Sequence, residues 1–239
     1  MAIFKVTRAA RKVLKLKYCG AVIVAAGTAS RMGGIDKLME ELRGVTVIKR
    51  SVQAFEDCDA IKEIVIVTRT DLILPIQNLC APFKKVTAIV AGGETRPQSV
   101  QAGMNALSKK VKLVAVHDGA RPLVSVQLID RVVRGANSYG AAVPGLPVKD
   151  TVKEANGGIV KQTLDRSSLY AVQTPQAFDF DLLRGALDKA KLEDAQITDD
   201  ASAVENMGMS VKMVVGDERN IKITTPLDLR LAEILIEET

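Results

Sequence analysis

The chain has 239 residues, 47% of them hydrophobic and 3% aromatic, with no Trp and a net charge of +5. This length suits one large α/β core, and a core so poor in aromatics has to be built from Val, Ile, Leu and Ala, the mixture of parallel sheets flanked by helices. Recognition of single-stranded nucleic acid by stacking is excluded by the same shortage, and no apolar run is long enough to span a bilayer.

Along the chain, residues 1–18 come first as a basic N-terminal extension. Lys5, Arg8, Arg11, Lys12, Lys15 and Lys17 stand there without an acid, and taking those six from the total leaves the rest of the chain at −1. The body is nearly neutral, so no nucleic-acid partner is expected. Phe4, Val13, Leu14 and Leu16 among the bases would fit a presequence or a membrane-surface helix, but there is no uninterrupted apolar stretch of signal length and no small-residue cleavage site. Residues 19–239 then read as a single domain. Strands are expected at 20–26, 61–68, 84–91 and 112–118, with helices at 46–57 and 96–107 between them. Such alternation implies right-handed crossovers and a Rossmann-like, mostly parallel sheet with helices on both faces.

The pattern changes after residue 140. Three prolines and the turn signal "NGG" in a stretch of alternating character predict a protruding β-hairpin arm from about 147 to 168, which returns to the sheet through "YAVQTP". Helices follow at 179–191 and 199–207, a strand at 210–215 and a last helix at 226–237. Cys19, Cys58 and Cys80 are odd in number and widely spaced, with His117 as the single histidine. A disulfide framework or structural zinc site is therefore not expected; reduced thiols in a cytoplasmic protein fit.

The first βα loop of an open α/β sheet is the usual phosphate site, and here it reads "AAGTASRMGGIDK". Ala25 and Ala26 leave room for a ligand beside the backbone, Gly27 frees the chain to turn its amides inward, and Arg31 and Lys37 supply charge. The P-loop pattern fails for want of Gly-Lys-Ser/Thr, and the dinucleotide fingerprint fails because Gly27, Ala29 and Met32 fill its glycine positions. A triphosphate is left as the best-fitting ligand, although a tight surface turn with solvated bases accommodates the same residues.

This loop is followed by "AGGETRPQSVQAG" (91–103), "VHDGARPLV" (116–124), "PVKDTVKE" (147–154), "TLDRSSLYAVQTPQAF" (163–178), "ITDDASAVE" (197–205) and "GDERNIKITTPLDL" (216–229). In this order the segments resemble the cytidylyltransferases of the non-mevalonate isoprenoid route, which transfer a cytidylyl group from CTP to 2-C-methyl-D-erythritol 4-phosphate and release pyrophosphate. The resemblance covers about residues 19–238. It implies that Gly27 and its neighbours cradle the triphosphate, that Arg31 and Lys37 stabilise the transition state, and that Mg²⁺ bridges the phosphates. It places Gly93, Glu94 and Ser99 at the cytosine and Ala25 and Ala26 at the ribose. Asp118 and Arg121 would meet the acceptor, Asp118 being also the candidate metal ligand, while Thr151, Arg166, Thr174, Thr198 and Lys222 match positions around the acceptor phosphate and polyol, with Lys222 counted among the catalytic residues. "TDD" at 198–200 also suits a helix N-cap. The family pattern has a second Gly where Ala29 stands and one more residue before the Lys, which alters the path of the loop.

The alternatives are a ribitol 5-phosphate cytidylyltransferase or another sugar- or alcohol-phosphate nucleotidyltransferase. A dehydrogenase would want the full glycine fingerprint and an acid after the second strand, where "VTRTD" stands. A binding-only relative would be expected to lack Arg31, Lys37 or Lys222. His117 is not needed as a base, because a phosphate nucleophile is already deprotonated. The resemblance further implies a homodimer joined through the arm, since a two-stranded ribbon is marginal alone.

Overall fold

β1 (Cys19–Ala25) enters the centre of an eight-stranded sheet, and the chain then runs through β2 (Glu41–Leu42), β3 (Val45–Thr46), α1 (Val47–Glu56), β4 (Ile61–Thr68), α2 (Ile73–Cys80), β5 (Val86–Ala91), α3 (Arg96–Ala106), β6 (Leu113–Asp118), α4 (Val126–Tyr139) and β7 (Ala141–Pro147). β8 (Lys153–Asn156) and β9 (Ile159–Thr163) precede β10 (Tyr170–Val172), β11 (Gln176–Asp179), α5 (Phe180–Leu192), α6 (Asp200–Glu205), β12 (Lys212–Val215) and α7 (Pro226–Glu237). This computed structural model describes residues 15–27 and 36–237. Most of the basic extension and the loop segment containing Arg31 lie outside the described residues.

The sheet order is β10-β7-β11-β6-β1-β4-β5, with β12 paired to β7. β6, β1, β4 and β5 run parallel, as does β12 with β7, whereas β10 and β11 run antiparallel to their neighbours. Alternation along β1 explains the layering. Ala21, Ile23 and Ala25 face a core with Val52 and Phe55 of α1, Ile76 of α2 and Val132 of α4. Val22 faces the other core, with Val100 and Met104 of α3, Leu183 of α5 and Val204 of α6. Both faces of the sheet are thus sealed by aliphatic side chains, as the composition demands.

The expected strands and helices are present with ends moved by at most two residues: the strand expected at 84–91 starts at Val86, and the helix expected at 199–207 ends at Glu205. Two helices were not expected. α2 carries Pro75 in its first turn, where the missing N–H costs nothing, and α4 buries Leu128, Ile129, Val132, Val133 and Ala136 on one face.

β8 and β9 form a two-stranded sheet of their own, turning at Gly157 and Gly158 with φ of 57° and 81°, a left-handed pair that glycine adopts without strain. Here is the arm: its strands pair with no other described strand. At the opposite end of the domain Leu16 packs on the core, Lys17 pairs with Asp179 at 3.0 Å, and the Tyr18 carbonyl accepts from Lys112 and Leu113. Residues 16–18 thus pack with the domain.

Candidate active site

At the carboxyl ends of β1 and β6 a cleft opens, lined by Ala25, Ala26, Gly27 and Lys37 on one side and by Gly93, Glu94, Arg96 and Ser99 on another, with Asp118 and Lys222 at its floor and rim. Nine of the fifteen residues expected at the site therefore meet in one place. The turn at 36–39 holds Lys37 there: Asp36 accepts from the amide of Leu38 at 3.1 Å and pairs with Arg69 at 2.6 Å.

The base-site segment is fixed by local bonding. Thr95 caps α3 in a reciprocal box with Gln98, so "ETRPQ" is a helix start. Ser99 is buried, accepts from the Gly93 amide at 3.1 Å and donates to the Thr95 carbonyl at 3.0 Å. Its hydroxyl shapes the loop whose exposed backbone faces the cleft. Gly92 matters for space: a Cβ there would stand 2.5 Å from Ala26 Cβ and 2.8 Å from Ser99 Oγ.

Asp118 is the electrostatic hub. Its carboxylate lies 2.8 Å from Lys222 Nζ, 3.6 Å from Arg96 Nη2 and 3.7 Å from Arg121 Nε. Burial pushes its pKa upward, but the three cations outweigh that and hold it well below the usual carboxylate range. Lys222 reaches this position because its segment is tied down on either side: Ile223 donates its amide to the Ala120 carbonyl at 2.8 Å, and Asn220 Nδ2 donates to the Thr174 carbonyl at 2.8 Å.

Behind Asp118 runs a directional chain of hydrogen bonds. The Asp118 amide donates to Thr174 Oγ1 at 3.0 Å, and Thr174 Oγ1 lies 3.1 Å from His117 Nδ1. His117 Nε2 faces the Arg121 carbonyl at 3.3 Å, an atom that only accepts. Nε2 therefore carries the proton, and Nδ1 accepts from the Thr174 hydroxyl. Burial pushes the His117 pKa down to about 3, so the ring is neutral at pH 7. It packs on Phe55 at 4.9 Å between ring centroids and does not reach the cleft as a base.

Five of the expected residues do not line this cleft. Arg121 is turned inward, with Nη1 donating to the Asn220 carbonyl at 2.7 Å, and burial lowers its pKa against the opposing pull of Asp118. Thr174 is buried beneath Asp118. Thr151 and Arg166 are exposed at the foot of the arm, where Arg166 donates to the Lys149 carbonyl at 2.5 Å. Thr198 is exposed and is not the cap of α6; Asp199 is, accepting from the Ser202 amide at 2.9 Å. Arg31 is outside the described residues.

Arg96 in the cleft wall and the buried Asp200 behind it were not assigned from sequence. Arg96 Nη2 lies 2.8 Å from Asp200 Oδ2. Burial raises the Asp200 pKa and Arg96 opposes that rise, while Arg96 itself, though burial lowers it, is raised overall by Asp200 and Asp118. Both stood in quoted motifs, yet nothing in sequence pairs them.

Among the described residues no group of three or more His, Cys, Asp or Glu side chains could hold a metal ion. Asp118 and Glu94 are the carboxylates that line the cleft. A divalent ion suits this donor set only when carried on the oxygens of a bound triphosphate, the mode Mg²⁺ favours.

Residues 19–238 match the family described as IspD, 2-C-methyl-D-erythritol 4-phosphate cytidylyltransferase. The chain is 46% identical over 219 residues to the enzyme of that name from Geobacillus kaustophilus, covering 90% of this chain and 96% of the relative. It is 43% identical over 223 residues to that from Caldanaerobacter subterraneus subsp. tengcongensis, covering 91% and 98%. The crystal structure of 4-diphosphocytidyl-2C-methyl-D-erythritol synthase from Anaerococcus prevotii superposes with a TM-score of 0.84 at 31% identity, over 92% of this chain and 96% of that one.

Proposed function

Since the chain belongs to the 2-C-methyl-D-erythritol 4-phosphate cytidylyltransferase family, we propose that the cleft between β1, α3 and β6 is where it carries out that family's reaction. A phosphate oxygen of 2-C-methyl-D-erythritol 4-phosphate attacks the α-phosphorus of CTP; the bond to the β-phosphate breaks, and pyrophosphate leaves with its electron pair. Such a transfer asks a protein for alignment and charge neutralisation rather than covalent help. The observation that carries the reading is the cluster at Asp118, where Lys222, Arg96 and Arg121 face two buried carboxylates, Asp118 and the Asp200 paired with Arg96, beside the glycine that follows β1. That surplus of positive charge suits two phosphorylated substrates.

In this reading Gly27 and Lys37 take the triphosphate, with Arg31 from the adjoining loop, and Ala25 and Ala26 make room for the ribose. Gly93, Glu94 and Ser99 form the cytosine site, in which backbone groups accept from the exocyclic amine. Lys222 and Asp118 meet the acceptor, with Arg121 and Thr174 supporting Asp118 from behind. Mg²⁺ supplies charge neutralisation on the phosphates when bound, with Asp118 as its protein carboxylate. Thr198, ahead of α6, would complete the acceptor site, and at least one of Thr151 and Arg166 would reach that of a second copy through the arm. The exposure of Ile159 and Val160 on that arm, 76% and 56%, supports a homodimer, and three buried free thiols support a cytoplasmic location.

Pyrophosphate release from CTP tests the proposal, with 2-C-methyl-D-erythritol 4-phosphate expected as acceptor and ribitol 5-phosphate expected to be poor. UTP should be used far less well, because its O4 cannot donate to a site built to accept from an amine. Equal kcat/KM for CTP and UTP would remove the base-site assignment.

A further inference from the structure

Arg96 stands where three parts of the site meet. It is the first residue of α3, directly after the Thr95 cap that fixes the base-site loop. Its guanidinium reaches Asp200 at 2.8 Å and Asp118 at 3.6 Å. Asp200 is 1% exposed and opens α6, so it cannot serve a substrate and is placed to hold Arg96. α6 is in turn locked to β11 by Gln176, whose Nε2 donates to Asp199 at 2.6 Å and whose Oε1 accepts from the Ala201 amide at 3.0 Å. β11 follows Thr174, which accepts from the Asp118 amide. The contacts close a ring: Asp118, Thr174, β11, α6, Asp200, Arg96 and back to Asp118.

We infer that Arg96 is a positioning residue for the reaction, setting the acceptor-side carboxylate Asp118 at a fixed distance from the base-site loop and held to that task by Asp200. The inference rests on the reading of the cleft given above. Both carboxylates face the same Nη2, and an arginine suits the task because its rigid planar fork carries that nitrogen on a pre-organised group, whereas a lysine ends in a point charge on a flexible stem. A purely structural ion pair would need no cleft exposure, yet Arg96 lines the cleft and its side chain is 29% exposed.

Two variants separate positioning from structure. The paired change Arg96→Gln with Asp200→Asn removes both charges together, so that no buried carboxylate is left without a counterion. Arg96→Lys keeps the charge and loses the fork. In both, KM for CTP is expected to stay within about threefold of the parent, while kcat/KM for the acceptor falls by tenfold or more. Parental kinetics in a folded variant would make the pair merely structural, and an equal loss for both substrates would make Arg96 a nucleotide contact; either result overturns the inference. Should the paired variant fail to fold, Arg96→Lys alone decides by the same criteria. A parent enzyme silent with CTP and every polyol phosphate would instead overturn the reading of the cleft itself.

Discussion

Gly92→Ala probes the fit between β1 and the base-site loop with a single methyl. The added Cβ would lie 2.5 Å from Ala26 Cβ and 2.8 Å from Ser99 Oγ, about 1 Å closer than ordinary contact allows. β1 is pinned between β4 and β6, so the loop has to give way. Gly93, Glu94 and Thr95 are exposed, so the loop yields toward solvent, stretching the Gly93–Ser99 bond rather than disturbing the core. The displaced loop then no longer matches a cytidine held against Ala26. Overpacking costs about 1–3 kcal/mol, and at 1.4 kcal/mol per tenfold this corresponds to about 5- to 150-fold in affinity if it falls wholly on binding. With part of the strain released in the free protein, KM for CTP is expected to rise about tenfold while the thermal midpoint stays close to the parent's. Gly185→Ala in α5 is the control, since nothing lies within 4 Å of its Cβ position; helix propensity alone adds up to about 1 kcal/mol, worth about 2–4 °C at this size, with KM unchanged. A CTP KM within twofold of the parent in Gly92→Ala would refute the argument that this approach shapes the base site.

Lys37→Ala is expected to depress kcat far more than it raises KM for CTP, as befits a group acting on developing charge; an unchanged kcat in initial-rate assays would remove Lys37 from the catalytic set. Inactive Lys37→Ala and Arg166→Ala chains, mixed and allowed to exchange subunits, should regain part of the activity, because one site of the mixed dimer has both residues; silence despite demonstrated exchange, or an active monomer on sedimentation, argues against a shared site. His117 is held down at about 3 against 6.5 unperturbed, so its contribution to stability is fully present above pH 6.5 and is lost as pH falls toward 3, where the unfolded chain takes a proton the buried ring refuses. Denaturant midpoints should therefore decline more steeply between pH 6.5 and 4 in the parent than in His117→Asn, and parallel declines would show that His117 does not govern that limb.

The fold was legible wherever an element's burial follows a simple period. β1, β4, β5 and β6 are apolar runs ended by polar or small residues, and α1 shows its buried stripe at helical spacing; α7 has the same period, although Leu227, Leu231 and Ile234 on it are exposed and Ala232 is its buried residue. α4 escaped because its buried face, "LI" then "VV" four residues on, is built mainly of β-branched residues that read equally as strand. α2 escaped for a different reason: a proline three residues into an eight-residue helix looks like a break unless the helix start is already known.

Site residues were legible by type rather than by arrangement. Glycine and alanine after a strand, a hydroxyl in "GGETRPQS" and a carboxylate ending β6 each announce their chemistry locally, and all of them line the cleft. Partnership is different, because it is made by topology. The ion pair of Arg96 and Asp200 joins the starts of two helices that pack against the same face of the sheet from opposite halves of the chain. "RPLV" offers Arg121 as readily as "TRPQ" offers Arg96. Only the turn after β6, which sends the Arg121 guanidinium inward to the Asn220 carbonyl, decides that Arg96 and not Arg121 lines the cleft. A burial pattern gives no such direction, since both side chains are long, charged and partly covered. What separates an arginine that lines the cleft from one turned into the protein is a single hydrogen-bond acceptor supplied by a distant segment, and the 216–224 stretch supplies both that acceptor and, two residues later, the Lys222 ammonium that faces Asp118.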